Sequence, residues 1–195
     1  MEKRQHNLKY QVIFMWLYMF VIYVPFCVVL FHRHDVSATS LSVIAWFRNG
    51  LIYLILYLAL TLPFCLYQLF FLNRHFAGNH RWVYVLSAIS SVLMIIGGLI
   101  PLQTGPPPIF INTVHEFISV GFTIVFMFVI MITLLLCAKK SEYRMFLYSL
   151  CGLFIAALFI GFLILWTAAL FQLLATLSFL LILLCVNTVL TKVKT

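Results

Sequence analysis

The hydrophobic positions of this chain fall into long runs that short polar segments separate. One helix needs about 20 consecutive apolar residues to cross the hydrocarbon core of a bilayer. The first four runs reach that length, and they cover about 12–31, 42–72, 82–100 and 111–138. Because the second run is longer than a perpendicular crossing requires, we expect it to begin at the interface or to lie tilted, with a kink at Pro63.

The last apolar run contains neither a charged residue nor a proline from Met145 to Leu190. As a single helix it would measure about 70 Å at 1.5 Å per residue, about twice the thickness of the hydrocarbon core. It must therefore turn back near Trp166–Leu170, which gives two further spans at about 145–166 and 170–190. The predicted fold class is all-α, a polytopic transmembrane bundle of six helices that forms a single integral membrane domain over residues 1–195.

The distribution of basic residues predicts the orientation of this bundle. If the N-terminus is cytoplasmic, every segment on that side carries lysine or arginine, namely Lys3, Arg4, Lys9, Arg74, Arg81, Lys139, Lys140, Arg144, Lys192 and Lys194. The connectors on the opposite side hold only Arg33, with Asp35 beside it, and the segments 101–110 and 167–170 hold no charge. The positive-inside rule therefore places both termini in the cytoplasm. The expected location is the cytoplasmic (plasma) membrane of a bacterium.

Composition supports a lipid environment and narrows the classes of partner. The chain is 65% hydrophobic and 8% charged, whereas soluble domains are about 45–50% apolar and about 25% charged. The net charge of +8 lies in short clusters between apolar runs, which favours contact with anionic headgroups and argues against nucleic acid as a partner. The five cysteines lie in or beside apolar runs without a C-x-x-C pair, so we expect small buried hydrophobes.

Most of the polar chemistry lies near the start of the fourth predicted span. On a helical period Asn112, Glu116, Ser119 and Thr123 share one stripe, with His115 four residues before Ser119. Such a stripe is expected to face other helices, because lipid offers no hydrogen-bond partner. The candidate cluster, for ligand binding or for structure alone, consists of Arg48, Asn112, His115, Glu116, Ser119 and Gln172.

Two charged residues of that cluster are natural partners. Arg48 is the one cation placed well inside a predicted span, and Glu116 is the one carboxylate inside a span. Burying either charge alone is costly, so the sequence predicts an ion pair between the second and fourth spans. The competing interpretations are that Arg48 extends along its aliphatic stem to the surface, or that a pair only determines helix register.

A metal site is a further hypothesis for the same side of the membrane. The imidazole and carboxylate groups predicted near that face belong to His32, His34, Asp35, His115 and Glu116. These side chains could hold zinc or a similar ion, although the pattern H-x-H-D in a loop equally describes a hydrated surface segment. No catalytic residue or cofactor is assigned, and a single histidine within a span argues against haem held between two histidines.

The middle of the chain resembles a known family. The segment GGLIPLQTG, a short loop and then NTVHEFIS at the start of an apolar helix resemble the DRAM-type six-helix membrane proteins and their bacterial relatives of unknown function. This resemblance covers about 25 residues and the six-span layout. It implies a compact bundle linked to lipid handling or membrane trafficking, and it supplies no catalytic residues.

Three functions are consistent with these features. The favoured one is a small non-enzymatic accessory or scaffold protein that interacts with membrane lipids, and with a larger membrane protein or a second copy as further candidate partners. The first alternative is a small transporter or ligand-binding protein with an outward-facing pocket. The second alternative is a membrane-embedded, metal-dependent enzyme that uses His115 and Glu116.

Glycines 97, 98, 152 and 161 are expected to let helices approach closely.

Overall fold

In the computed structural model, residues 2–36, 40–103, 110–139, 144–165 and 169–192 are described. All regular secondary structure in these ranges is helical. The α-helices are α1 (Glu2–Leu17), α2 (Val24–Arg33), α3 (Leu41–Phe47), α4 (Leu51–Leu72), α5 (Arg81–Leu99), α6 (Phe110–Lys139), α7 (Arg144–Leu165) and α8 (Ala169–Lys192). Two π-helical segments, Tyr18–Tyr23 and Asn73–Ala77, continue α1 into α2 and extend α4.

Five of the described helical stretches are long and apolar enough to cross a membrane, and they indicate a membrane protein. They are Lys9–Arg33, Leu51–Ala77, Arg81–Leu99, Phe110–Lys139 and Gln172–Val189. A shorter apolar stretch, Arg144–Ala156, lies in α7. The all-α prediction is confirmed at this level, while the sixth span stays a prediction. The predicted turn after Trp166 falls between α7 and α8 and lies largely outside the described residues.

The second apolar run differs from the expected continuous helix. It is interrupted at residues 48–50, because α3 ends at Phe47 and α4 begins at Leu51. The backbone N–H groups of Arg48 and Gly50 both donate to the Ile44 carbonyl, at 3.2 and 3.0 Å. A Cβ on Gly50 would lie 2.7 Å from that oxygen, so this break requires glycine.

Proline explains the irregular turn in the first helical stretch. Pro25 lacks an N–H group, and its ring would collide with the carbonyl four residues earlier in a regular α-helix. The π-helical segment Tyr18–Tyr23 widens the helix immediately before it, and the Val24 N–H donates to the Met19 carbonyl five residues back. Further along the chain, α4 continues through Pro63.

The helices group into two compact units by their contacts. Unit 1 comprises Met1–Ser40 and Ala138–Thr195, and unit 2 comprises Leu41–Cys137. In unit 1, α8 packs against both α1 and α7. The fully buried Tyr23 donates its hydroxyl to the Leu173 carbonyl at 3.0 Å, and the Leu170 N–H donates to the Val36 carbonyl at 2.8 Å.

In unit 2, small residues form the buried face of α5. These are Ser87, Ser90, Ser91, Gly97 and Gly98, together with Val83. A Cβ on Gly97 would lie 2.7 Å from the Ser119 backbone nitrogen of α6, whereas one on Gly98 would meet Leu58 of α4 at an ordinary 3.4 Å. Small side chains therefore let the backbones of α5 and α6 approach closely, as the sequence predicted for Gly97.

The other glycine predictions have different outcomes. Gly152 is exposed, and a Cβ there would meet no described atom within 4 Å, so its predicted role in close helix approach is wrong for the described part of α7. The surroundings of Gly161 lie outside the described side chains. All five cysteines are free; Cys65, Cys137 and Cys151 are buried as expected, while Cys27 and Cys185 are half-buried.

Large apolar side chains cover much of the outward surface of both units. The most exposed include Phe110, Phe117, Met145 and Leu153, at 72% or more of their full area. A water-soluble protein rarely exposes so much contiguous apolar surface. Lipid is the solvent that such a surface fits.

Candidate functional site

The polar groups at the start of α6 converge on one buried histidine. His115 is 3% exposed. Its Nδ1 lies 2.9 Å from the carbonyl oxygen of Ile100, which follows the last residue of α5, and its Nε2 lies 3.0 Å from the Ser42 hydroxyl of α3. One side chain therefore joins three helices of unit 2.

The hydrogen-bond partners determine the tautomer of His115. A carbonyl oxygen only accepts, so Nδ1 carries the proton and donates to Ile100. In the neutral ring Nε2 is then the acceptor, and the Ser42 hydroxyl donates to it. Both ring nitrogens are thus engaged inside the protein.

Asn112 closes the same end of the helix pair. Its side-chain amide donates to the Gln103 carbonyl at 2.9 Å, and its Oδ1 accepts from the Gln103 N–H at 2.9 Å. The Asn112 side chain thus makes two hydrogen bonds with the backbone of one residue. Together with the His115–Ile100 bond, it holds the start of α6 against the end of α5.

The predicted polar stripe is rotated relative to expectation. Asn112, Ser119 and Thr123 are half-buried, but Glu116 is exposed. His115 takes the inner position because its ring finds two hydrogen-bond partners there, whereas a carboxylate without a partner is costly to bury. The Ser119 and Thr123 hydroxyls donate to their own helix, to the His115 and Ser119 carbonyls, both at 2.6 Å.

The predicted ion pair between Arg48 and Glu116 is not formed. Both side chains are exposed, and neither has an ion pair or a hydrogen bond with the residues that the structure describes. The physical reason is the break at residues 48–50. It places Arg48 between α3 and α4 rather than within a span, so its charge reaches the surface without a buried partner.

The metal hypothesis finds no assembled ligand set. Across the described ranges, no group of three or more histidine, cysteine, aspartate or glutamate side chains could hold a metal ion. His115 has no nitrogen to spare, because Ile100 and Ser42 engage both. Glu116 faces outward, and His32 and Asp35 are exposed on unit 1 with His34 half-buried. Gln172, the remaining member of the predicted cluster, lies on α8 of unit 1, where its carbonyl accepts from Thr176 at 2.9 Å.

Several polar residues that matter were not anticipated. Ser42 marked only the start of an apolar run, and its pairing with His115 joins residues 73 positions apart. Asn73, fully buried, bonds the backbone of His80 twice, at 2.9 and 3.0 Å, much as Asn112 bonds Gln103. The remaining buried hydroxyls in unit 2 include those of Thr61, Ser87, Ser91 and Thr133, which donate to carbonyls four residues earlier. Turn and helix-cap motifs in the sequence could not predict the pairing of Ser42 with His115, because only the fold brings the two residues together.

Chemically, this arrangement ties helices together. The bonds to His115 give partners to the half-buried Ile100 carbonyl and Ser42 hydroxyl.

Comparison with protein-family models, curated proteins and solved structures finds no match to this chain. The resemblance to DRAM-type proteins therefore stays a prediction that rests on the residues of the α5–α6 connection and on the span layout.

Proposed function

We propose that this chain is a small non-enzymatic integral membrane protein that acts as an accessory or scaffold and interacts with membrane lipid. The observation that carries the proposal is the use of its central histidine. His115 is buried, and both ring nitrogens are bonded to the protein, to Ile100 and Ser42. An acid–base or metal-binding histidine needs a nitrogen directed at its substrate or ion.

The distribution of the other polar groups supports the same proposal. Buried hydroxyls on α4, α5 and α6 donate to their own helices rather than into a shared cavity. Many large apolar side chains point outward, as contact with lipid requires. The role that the DRAM-type resemblance implies, lipid handling or trafficking, is of the same kind.

The proposed arrangement has six spans with both termini in the cytoplasm of a bacterial cell. Five described stretches have the length and hydropathy of spans, and α7 supplies the sixth. In this orientation Arg74 and Arg81 lie on the cytoplasmic side and His115 lies near the outer surface. A larger membrane protein or a second copy of the chain is the proposed protein partner.

The test is to purify the full chain in mild detergent and to analyse it by native mass spectrometry and elemental analysis. We expect phospholipid to remain bound and no transition metal to be present in stoichiometric amount. The His115→Ala variant, if folded, should retain the same lipid. A stoichiometric metal that disappears with His115→Ala would favour the enzyme alternative, and a retained polar small molecule would favour the transporter alternative; either result would contradict the proposal.

A further inference from the structure

The turn between α4 and α5 holds two arginines at one end of unit 2. Arg74 follows Asn73, and Arg81 follows His80. The Asn73 side chain bonds the His80 backbone twice, and the Asn73 carbonyl accepts from the N–H groups of Gly78 and Asn79, at 3.2 and 2.8 Å. Four hydrogen bonds from one buried residue therefore set the spacing of the two arginines.

The conformation of this turn is specified by its residue types. Gly78 and Asn79 both have positive φ, at 117° and 59°, which glycine and asparagine tolerate best. The Asn79 side chain also accepts a hydrogen bond from the Tyr84 hydroxyl at 2.8 Å. The ring of Tyr84 packs edge-on against the ring of Phe70, with 4.8 Å between the ring centroids. The turn is thus anchored to both helices, so its arginines are presented by a rigid support.

Among the residues that the structure describes, the charges of the two arginines have no acidic partner. Both side chains are exposed, and neither forms an ion pair or hydrogen bond with any residue in the described part of the chain. Glu116 is the one acidic residue in the sequence of unit 2. Along α6, Glu116 lies about 30 Å from Cys137. The Cys137 sulfur is 3.9 Å from the Leu72 carbonyl, which is near the arginine turn. Glu116 is therefore far from the two arginines.

Exposed apolar side chains lie on the two helices that flank the turn. Tyr67 lies on α4 before Arg74, and Val85, Leu86 and Ile89 lie on α5 after Arg81; all four side chains are exposed. A guanidinium forms paired hydrogen bonds with phosphate oxygens. Two guanidinium groups in a turn between two helices with exposed apolar side chains match a molecule that joins an anionic phosphate to acyl chains.

We infer that the α4–α5 turn binds the phosphate headgroup of an anionic phospholipid through Arg74 and Arg81. The inference rests on the proposed lipid-interacting function and names its lipid class. Juxtamembrane basic residues attract anionic lipid by about 1 kcal/mol each, so each arginine contributes about fivefold to the preference for anionic over zwitterionic lipid.

The test measures lipid binding to the purified full chain by native mass spectrometry, with phosphatidylglycerol and phosphatidylcholine of identical acyl chains. The wild type retains phosphatidylglycerol preferentially, and Arg74→Gln/Arg81→Gln reduces this preference by about 25-fold. Arg48→Gln is the matched control. It removes one positive charge from an exposed position of unit 2 outside the turn, at the break between α3 and α4, and it should reduce the preference by no more than about fivefold. Circular dichroism and thermal unfolding verify that each variant is folded.

Inorganic phosphate in large excess distinguishes a lipid site from a site for the free anion, and it leaves bound phosphatidylglycerol in place. Equal retention of the two lipids by the wild type, unchanged preference in the double variant, or displacement by inorganic phosphate would each overturn the inference. Equal retention would leave the proposed function standing, because lipid is still bound. Failure to retain either lipid would overturn both.

Discussion

At the scale of single residues, His115 shows how a polar side chain is accommodated in an apolar protein. Its ring accepts from a hydroxyl and donates to a helix-terminal carbonyl, so no hydrogen-bonding group of the imidazole remains unused. Glu116 is exposed, since burying the charge of a carboxylate is far more costly than burying a neutral imidazole. The neighbouring residues 115 and 116 thus have opposite environments, because a neutral imidazole with two hydrogen-bond partners can be buried and a charged carboxylate is better solvated outside.

Removing the imidazole should therefore destabilise unit 2. His115→Ala leaves the Ile100 carbonyl and the Ser42 hydroxyl without their partner and should lower the free energy of unfolding by about 1–3 kcal/mol. Ser42→Ala removes one bond and should cost about 0.5–1 kcal/mol. Denaturant unfolding in detergent micelles measures both.

Ser149→Ala serves as the control for these substitutions. Ser149 is exposed on α7 and bonds only its own helix, at the Met145 carbonyl, so its loss should change stability by less than about 0.5 kcal/mol. If His115→Ala were as stable as this control, the three-helix junction would have no energetic significance.

At the scale of helices, the close approach of two backbones depends on where glycine lies at the contact. The α5–α6 crossing has Gly97 against the Ser119 backbone, and the α4–α5 contact has Gly98 against the flexible end of Leu58. The first contact involves main-chain atoms that cannot move without shifting the helix. The second involves a side chain that can adjust.

Two substitutions of equal size should consequently have unequal effects. Gly97→Ala forces α5 away from α6 and should cost about 1–3 kcal/mol. Gly98→Ala should be nearly neutral, as should Gly121→Ala, for which a Cβ meets no described atom within 4 Å. Thermal unfolding of the three variants in one detergent compares them directly, and equal midpoints would contradict the close contact at Gly97.

At the scale of the whole molecule, the orientation in the bilayer is a prediction from the basic residues. Single cysteines introduced into a variant whose native cysteines are replaced by alanine can report the side of each connection. We expect Gln103→Cys to react with an impermeant maleimide from outside intact cells. Arg81→Cys and Lys139→Cys should react only after permeabilisation. Reaction of Gln103→Cys and Lys139→Cys from the same side would contradict the proposed topology.

Much of the fold could be predicted because lipid imposes simple rules. A run of apolar residues must be helical to satisfy its backbone, and its length indicates whether it can span. The π-helical segment before Pro25 and the break after Phe47 were not predicted, because both depend on local carbonyl geometry rather than on hydropathy. In the candidate site, His115 was identified from its polarity, while its partner Ser42 was not.

By itself, the sequence determined that this protein is helical, that lipid is its solvent, and that its polar groups concentrate near the start of α6. Those properties follow from composition and periodicity, which do not depend on how the helices are arranged. Only the tertiary structure decided that His115 faces inward to Ser42 and Ile100, that Arg48 and Glu116 stay apart, and that Asn73 closes the turn between Arg74 and Arg81. Such pairings depend on how each helix is rotated about its axis and on where it begins and ends. Shifting a helix by one residue would turn different side chains toward its neighbours.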